Sequence, residues 1–256
     1  MSQTLKSFQK EKLKVKIYQT ESEMGEAAAI FTATHLNSVI NQKGTANLIL
    51  ATGTSQFAML EALKEQVIDW EKITVFHLDE YIGISDQHPA SFRKYLKERI
   101  LDIVSPGRVY LINGDAENLK EEMSAYEKLL KENPVDFACI GIGENGHIAF
   151  NDPPVADFND PLWVKDVELD EACRRQQFGE GWFSTFDDVP KKAVSLTITA
   201  IMNCKVISCV VPDERKAEAV YNTLNAEIST ACPATILRRH PDTTLYLDSA
   251  SASKLG

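Results

Sequence analysis

The sequence predicts an α/β protein built on a mainly parallel sheet with helices on both faces. Short apolar runs of strand length recur at 13–18, 47–51, 73–78, 135–142, 205–211 and 244–247. Stretches with helical apolar spacing lie between most of them. Strand and helix in alternation pack as a parallel sheet covered on both sides, because each crossover lays a helix against one face. With 256 residues, 44% of them hydrophobic, the chain can bury one substantial core, and a single domain over residues 1–256 is expected.

Residues 13–18 alternate as a strand does. The stretch ESEMGEAAAIFTATHLNSVINQ is helical in composition and stops at Lys43-Gly44. Residues 47–51 form a buried-strand pattern that runs into Thr52-Gly53-Thr54-Ser55 and then the helix-like QFAMLEALKEQ. A strand, a hydroxyl-rich turn and a helix aim free N–H groups and hydroxyls at one spot, which suits an anion. The same four residues also make an ordinary helix cap. Residues 73–78 deliver Asp79-Glu80-Tyr81. Adjacent carboxylates at a buried strand end repel each other, and burial raises the pKa of one, which makes a candidate general base; the plain alternative is an acidic turn.

Residues 91–100 read as a helix with Arg93, Lys94, Lys97 and Arg99 on its solvated side. A short strand at 109–112 and a helix at 117–132 follow. Between 155 and 180 the pattern is weakest, with Asp170 and Glu171 capping a short helix that bears Arg174, Arg175, Gln176 and Gln177. Residues 190–203 read as strand then helix. The strand 205–211 ends in Pro212-Asp213-Glu214-Arg215-Lys216 ahead of the helical AEAVYNTLN. A lysine in the first turn of a helix opposes the helix dipole unless an anion lies nearby, so Lys216 is a candidate anion ligand.

The densest chemistry lies in GIGENGHIAFNDPP, residues 141–154. Gly141, Gly143 and Gly146 allow a tight turn and close approach of a ligand. They carry His147 between Asn145 and Asp152, at the strand edge where open α/β sheets bind ligands. His147 suits proton transfer near neutral pH, and Asp152 or Asn145 fixes its tautomer by a hydrogen bond.

This motif resembles the signature of the glucosamine-6-phosphate deaminases, or isomerases, within the larger group that includes the 6-phosphogluconolactonases. Ile148-Ala149-Phe150-Asn151 is similar to the deaminase branch, and LDEYIGISDQHPASF resembles the deaminase segment whose first acid moves a proton on the sugar. The resemblance covers about residues 47–247. It implies the Rossmann-like fold shared with ribose-5-phosphate isomerases and CoA transferases. It also implies isomerisation of an amino-sugar 6-phosphate with loss of ammonia, glucosamine-6-phosphate giving fructose-6-phosphate, an activity expected to class as isomerase and hydrolase. By that resemblance Asp79 shuttles a proton between C2 and C1, and His147 assists ring opening with Asn145 and Asp152 holding its ring. Thr52, Gly53, Thr54, Ser55 and Lys216 grip the phosphate.

The family adds an arginine from the 155–180 region. Trp182 stands at its position here, leaving Arg175 or Arg174 as substitutes, and Gly181-Trp182-Phe183 as a candidate lid. Thr54 and Gln56 stand where a glycine and a proline are common, and Asn145 and Asp152 where an acid and a glutamate are usual. No cofactor and no metal are expected, and a homo-oligomer is. The alternatives are galactosamine-6-phosphate as substrate, lactone hydrolysis, or a sugar-phosphate sensor without chemistry; the presence of both Asp79 and His147 favours an enzyme.

A net charge of −10 with no basic cluster argues against nucleic acid or an anionic membrane surface as partner. Five cysteines, odd in number and without a Cys-x-x-Cys pair, suit a reducing compartment. The N-terminal MSQTLKSFQKEKLKVKIYQ lacks a signal-type apolar core, so a cytoplasmic protein is expected.

Overall fold

The structure is a computed structural model and describes residues 3–256; Met1 and Ser2, which begin the basic N-terminal stretch, lie outside them. The elements run in chain order from a hairpin of β1 (Lys6–Lys10) and β2 (Leu13–Tyr18) into the long helix α1 (Glu21–Lys43). Thr20 and Glu23 start α1 with a capping box, and Gly44, at φ 88°, ends it in the left-handed conformation that glycine adopts without strain. Next come β3 (Ala46–Leu50), α2 (Phe57–Lys64), β4 (Ile73–His77) and the three-residue β5 (Asp79–Tyr81). Helix α3 (Phe92–Leu96) passes through a π turn, Lys97–Leu101, into α4 (Asp102–Val104). The strand β6 (Arg108–Val109), helix α5 (Leu119–Glu132) and β7 (Phe137–Ile140) lead to the glycine-rich motif. Beyond it are β8 (Val164–Glu168), α6 (Glu171–Gly179), β9 (Lys192–Leu196), α7 (Ile198–Met202), β10 (Val206–Val211), α8 (Ala217–Asn225) and β11 (Thr243–Asp248).

The main sheet has the order β1-β2-β11-β10-β7-β3-β4-β6. All its pairings are parallel except the β1–β2 hairpin. Its inner strands β3, β4, β7, β10 and β11 are buried on both faces, which is why they read as continuous apolar runs. Leu48, Leu50, Val75, Phe137 and Cys139 point to the side covered by α1, α2 and α3, while Ile49, Phe76, Ala138, Ile140 and Ile207 meet α5, α7 and α8. That alternation along each strand builds two apolar layers from one sheet. Gly25 of α1 lies so close to α2 that a Cβ there would be 2.6 Å from the Ala58 backbone. Among the described residues no helix is long and apolar enough to cross a membrane.

From β3 the chain builds outward through β4 to β6, then returns to place β7, β10 and β11 on the other side of β3. The reversal falls between β3 and β7, and the loops leaving their C-terminal ends, residues 51–56 and 141–154, flank the crevice it opens.

A second, antiparallel sheet has the order β5-β9-β8. Its apolar side, with Tyr81, Val167 and Ala193, packs with Phe92, Phe150, Phe183 and Val189 in a separate cluster. Short strands of mixed polarity carry little periodic signal, and this sheet is not foreseen from the sequence; nor is β1, whose KSFQK is mostly exposed. Arg93 also departs from expectation. It is buried, with Nε 3.2 Å from Glu80 Oε2 and Nη2 2.8 Å from Asp115 Oδ1. A buried carboxylate beside it makes the inner helix face the favourable place for that guanidinium.

Candidate active site

The loops after β3 and β7, the β4–β5 junction and the turn after β10 converge on one cleft of about 670 Å³, including its open mouth. Thr52, Gly53, Thr54, Ser55, Asp79, His147 and Lys216 all line it. Four chain segments far apart in sequence thus bring most of the anticipated residues together.

Asp79 and Glu80 are neighbours on a strand and therefore face opposite sides. Glu80 accepts from Ser91 Oγ at 2.8 Å and from the N–H groups of Tyr81, Phe92 and Arg93 at 2.9, 3.1 and 3.0 Å. It is a structural acid that ties the helix start to β5. Burial raises its pKa, and the donors from Arg93, Ser91 and Phe92 pull back against that rise. Asp79 faces the cleft, and among the described residues no side chain donates to it. Burial, with the Glu80 charge beside it, pushes its pKa well above the ordinary carboxylate range. A carboxyl so placed is ready to exchange protons once a cationic ligand favours its ionised form.

His147 is held by a loop that folds on itself. The Gly143 N–H donates to His147 O at 2.9 Å, and Gly146, at φ 84°, donates to Gly143 O at 3.0 Å. A Cβ at Gly143 would fall inside the His147 ring, so only glycine leaves room for the imidazole. Asn151 Nδ2 anchors the far side to Ile148 O and Leu196 O at 2.9 and 2.8 Å. Ala149 is held at φ 50°, an uncommon conformation for a residue with a side chain, and it lines the cleft.

His147 Nδ1 lies 2.8 Å from Asp152 Oδ1, though the carboxylate is off the line of an aligned ring hydrogen bond. Asp152 is fully buried. Burial alone would raise its pKa, but His147, Asn145 and Cys173 outweigh it and hold the carboxyl below its ordinary value. With Nδ1 turned to Asp152, Nε2 is the nitrogen left for a ligand. Asn145 does not hold the ring as expected. Its Nδ2 donates to Asp152 Oδ1 at 2.9 Å, and its Oδ1 accepts the His147 N–H at 3.0 Å. It therefore positions the histidine through the carboxylate and the backbone.

At the other end of the cleft, Gly53, at φ 94°, exposes the turn before α2; its carbonyl accepts from Tyr95 Oη at 2.8 Å and from the Gln56 N–H at 3.1 Å. Gln56 Nε2 donates to Ser55 Oγ at 3.1 Å, and Gly141 brings the second loop close beside both. Lys216 is 6% exposed, and among the described residues no carboxylate lies within 4 Å of its Nζ. Burial lowers its pKa, while the more distant charges of Glu144 and Glu180 oppose the fall. A buried cation without a partner is unfavourable unless a ligand supplies the counter-charge. Arg215, not anticipated from sequence, also lines the cleft and pairs with Asp213 Oδ2 at 2.8 Å. Its adjacency to Lys216 in one helical turn was the available signal.

Arg175 does not reach this site. It is exposed, pairs with Glu171 one turn away on α6, and covers the Phe186 ring. Arg174 donates to the carbonyls of Val189 and Phe186 and is likewise structural. What α6 brings to the cleft instead is a polar stripe. Gln176 Oε1 accepts the Glu144 N–H at 3.0 Å, Gln177 Oε1 accepts from Tyr81 Oη at 2.6 Å, Glu180 lies over Gly53, and Cys173 adjoins Asp152. The cover is thus α6; Phe183, in the expected lid, is buried against Tyr81 and His88.

A family model described as glucosamine-6-phosphate isomerases/6-phosphogluconolactonase matches residues 19–246. A glucosamine-6-phosphate deaminase of Bacillus cytotoxicus is 37% identical over 218 residues, which are 85% of this chain and 81% of that protein. One from Bacillus cereus is 34% identical over 241 residues, 94% of this chain and 88% of its own. A solved monomeric glucosamine-6-phosphate deaminase superposes with a TM-score of 0.86 at 33% identity, over 93% of this chain and 98% of its own. A 6-phosphogluconolactonase from Shewanella baltica shares the fold, with a TM-score of 0.76 at 17% identity over 91% of this chain and 97% of its own.

Proposed function

The chain belongs to the glucosamine-6-phosphate isomerase/6-phosphogluconolactonase family, and from that premise we propose that it converts glucosamine-6-phosphate and water to fructose-6-phosphate and ammonia. The observation that carries this reading is the pairing, across one cleft, of a buried unpartnered lysine with a buried unpartnered carboxyl. One end wants a dianion and the other a cation. An amino-sugar phosphate carries both.

The phosphate is held by Lys216 and Arg215 with the N–H groups and hydroxyls of Thr52, Gly53, Thr54 and Ser55. His147 Nε2 takes the proton of the anomeric hydroxyl and returns it to the ring oxygen, opening the sugar; Asp152 stabilises the imidazolium between the two transfers, and Asn145 holds Asp152 in place. The ammonium at C2 then shifts Asp79 toward its carboxylate form. Asp79 removes the C2 proton while the C2 ammonium gives one of its protons to the C1 oxygen, so an enolamine forms, and Asp79 then delivers the proton it holds to C1. Water adds to the resulting C2 imine and ammonia leaves. Each proton-transfer group supplies roughly a hundredfold or more, and the rigid cleft adds orientation.

Release of ammonia and ketose phosphate from glucosamine-6-phosphate, run beside galactosamine-6-phosphate and an Asp79→Asn variant, tests this. Turnover that collapses in the variant supports the deaminase; no release from either sugar, with inorganic phosphate still bound, rejects it. The five free, buried cysteines support a reducing, cytoplasmic setting. A monomer, as described for the solved relative, is preferred over the homo-oligomer expected from sequence, and light scattering decides between them.

A further inference from the structure

Around the Nδ1 side of His147 is a group of side chains that the proposed reaction uses only in part. His147, Asp152 and Cys173 are all buried, and one ligand atom from each lies within 4.8 Å of the others. Two polar atoms in this group meet no well-aligned partner, Asp152 Oδ2 in a fully buried residue and His147 Nδ1, so that Asp152 is held within the group itself, by His147 and by the neighbouring Cys173 thiol. Cys173 enters from the first turn of α6, where the Asp170 carboxylate caps its N–H. A cavity of about 390 Å³, lined by Glu144, Asn145, Ala172, Cys173 and Gln176, adjoins the cluster at Cys173 and shares Glu144 and Gln176 with the sugar cleft.

We propose that His147, Asp152 and Cys173 form an inhibitory site for a thiophilic divalent cation such as Zn²⁺ or Cd²⁺. An imidazole, a carboxylate and a thiolate suit that class, whereas Mg²⁺ and Ca²⁺ prefer all-oxygen shells. Ligand atoms around tetrahedral zinc sit roughly 3.3–3.8 Å apart, given bonds of about 2.0–2.3 Å. Closing the cluster therefore takes a side-chain rotation of about 1 Å, and water from the adjoining cavity fills the fourth position. Binding releases one proton, from the thiol, as the sulfur–metal bond forms. His147 moves its ring proton to Nε2 as Nδ1 takes the metal.

That tautomer makes the site inhibitory, and this step rests on the deaminase reading. With the metal on Nδ1, Nε2 is an N–H that donates only, and it cannot accept the anomeric proton. Phosphate binding, at the far end of the cleft, is untouched.

The test separates binding from turnover. Titration of the purified protein with Cd²⁺ is expected to give one equivalent and a thiolate-to-cadmium ultraviolet band, with affinity rising about tenfold per pH unit as one thiol proton is released. Cys173→Ser and Cys173→Ala are expected to lose the band. Asp152→Asn, which keeps the thiol, should weaken binding by about tenfold or more. In assays of the wild-type protein, Zn²⁺ should lower kcat with KM unchanged, and each Cys173 variant, measured against its own metal-free rate, should resist it. An unchanged band in both Cys173 variants, Cd²⁺ binding below one equivalent, or zinc inhibition that persists without the thiol would overturn the assignment, whatever the sugar assay shows.

Discussion

Asp79 shows how the burial that lowers stability can also prepare a side chain for the chemistry proposed for it. Its raised pKa means that the fold favours the neutral acid. Below the ordinary value of 3.8 both folded and unfolded chains hold the proton and no penalty arises; as pH rises above it, the unfolded chain ionises first and stability falls until the folded carboxyl also ionises. Asp79→Asn is therefore expected to reduce turnover by roughly a hundredfold or more while raising Tm at neutral pH, by about 2–4 °C for each 1 kcal/mol relieved, with the gain vanishing near pH 3. Thermal melts of both proteins across that range check it. Lys216 makes the matching case. Lys216→Met removes a buried charge and is expected to hold or raise Tm, while KM for the phosphosugar rises about tenfold or more, the ~1.5–3 kcal/mol of a charged hydrogen bond. His147, Asp79 and Lys216 follow strand ends, but a charged or titratable group there also fits an ordinary turn, and it is the family resemblance that singles out Asp79 in the sequence. Arg93 was not: a basic residue in a helix reads as solvated until the caged Glu80 beside it is known.

At the scale of elements, α1 and α2 set the turn at residues 52–56, proposed above to hold the phosphate. Gly25 lets the two helices touch, and α2 begins directly after residues 52–56. Gly25→Ala would drive a methyl into the Ala58 backbone, and we expect a loss of about 1–3 kcal/mol in urea unfolding together with weaker binding of inorganic phosphate. Helix α6 is the element that sequence periodicity describes least well. Cys173, Gln176, Gln177 and Glu180 recur at helical spacing, but the face they make is mostly polar because it covers a polar cleft. Polarity ordinarily marks the face turned to water, so the pattern hides which face meets the cleft; Arg175, suggested for the cleft by the family resemblance, turns away from it and Glu180 lies there. The small sheet was hidden for a related reason, since three-residue β5 and mixed-polarity β8 are too short to show a period.

For the whole molecule, the N-terminal edge of the main sheet is gathered on Asp136. Its carboxylate accepts from Lys43 Nζ at 2.7 Å, the Asn47 N–H at 2.9 Å and Lys205 Nζ at 3.0 Å, joining the end of α1 to strands β3, β7 and β10. Burial pulls its pKa up, and these donors outweigh the burial, so the carboxyl stays below its ordinary value. The stability it adds is complete above pH 3.8 and is lost as pH falls through the lower folded value. Both lysines are well exposed, which screens them, so Asp136→Asn is expected to remove only about 1–2 kcal/mol at neutral pH and nothing further in acid, read from Tm against pH. The sheet's alternating βα order was plain in the sequence because buried parallel strands are uniformly apolar, whereas its rim was not. That rim has its own effect. One margin is β1, with Lys6, Ser7 and Gln9 exposed along it, and the other is the two-residue β6. Neither offers a long apolar ladder of unpaired N–H and C=O groups, so a crowded solution gives neighbouring copies little to zip onto, and fibril growth by strand addition has no ready template.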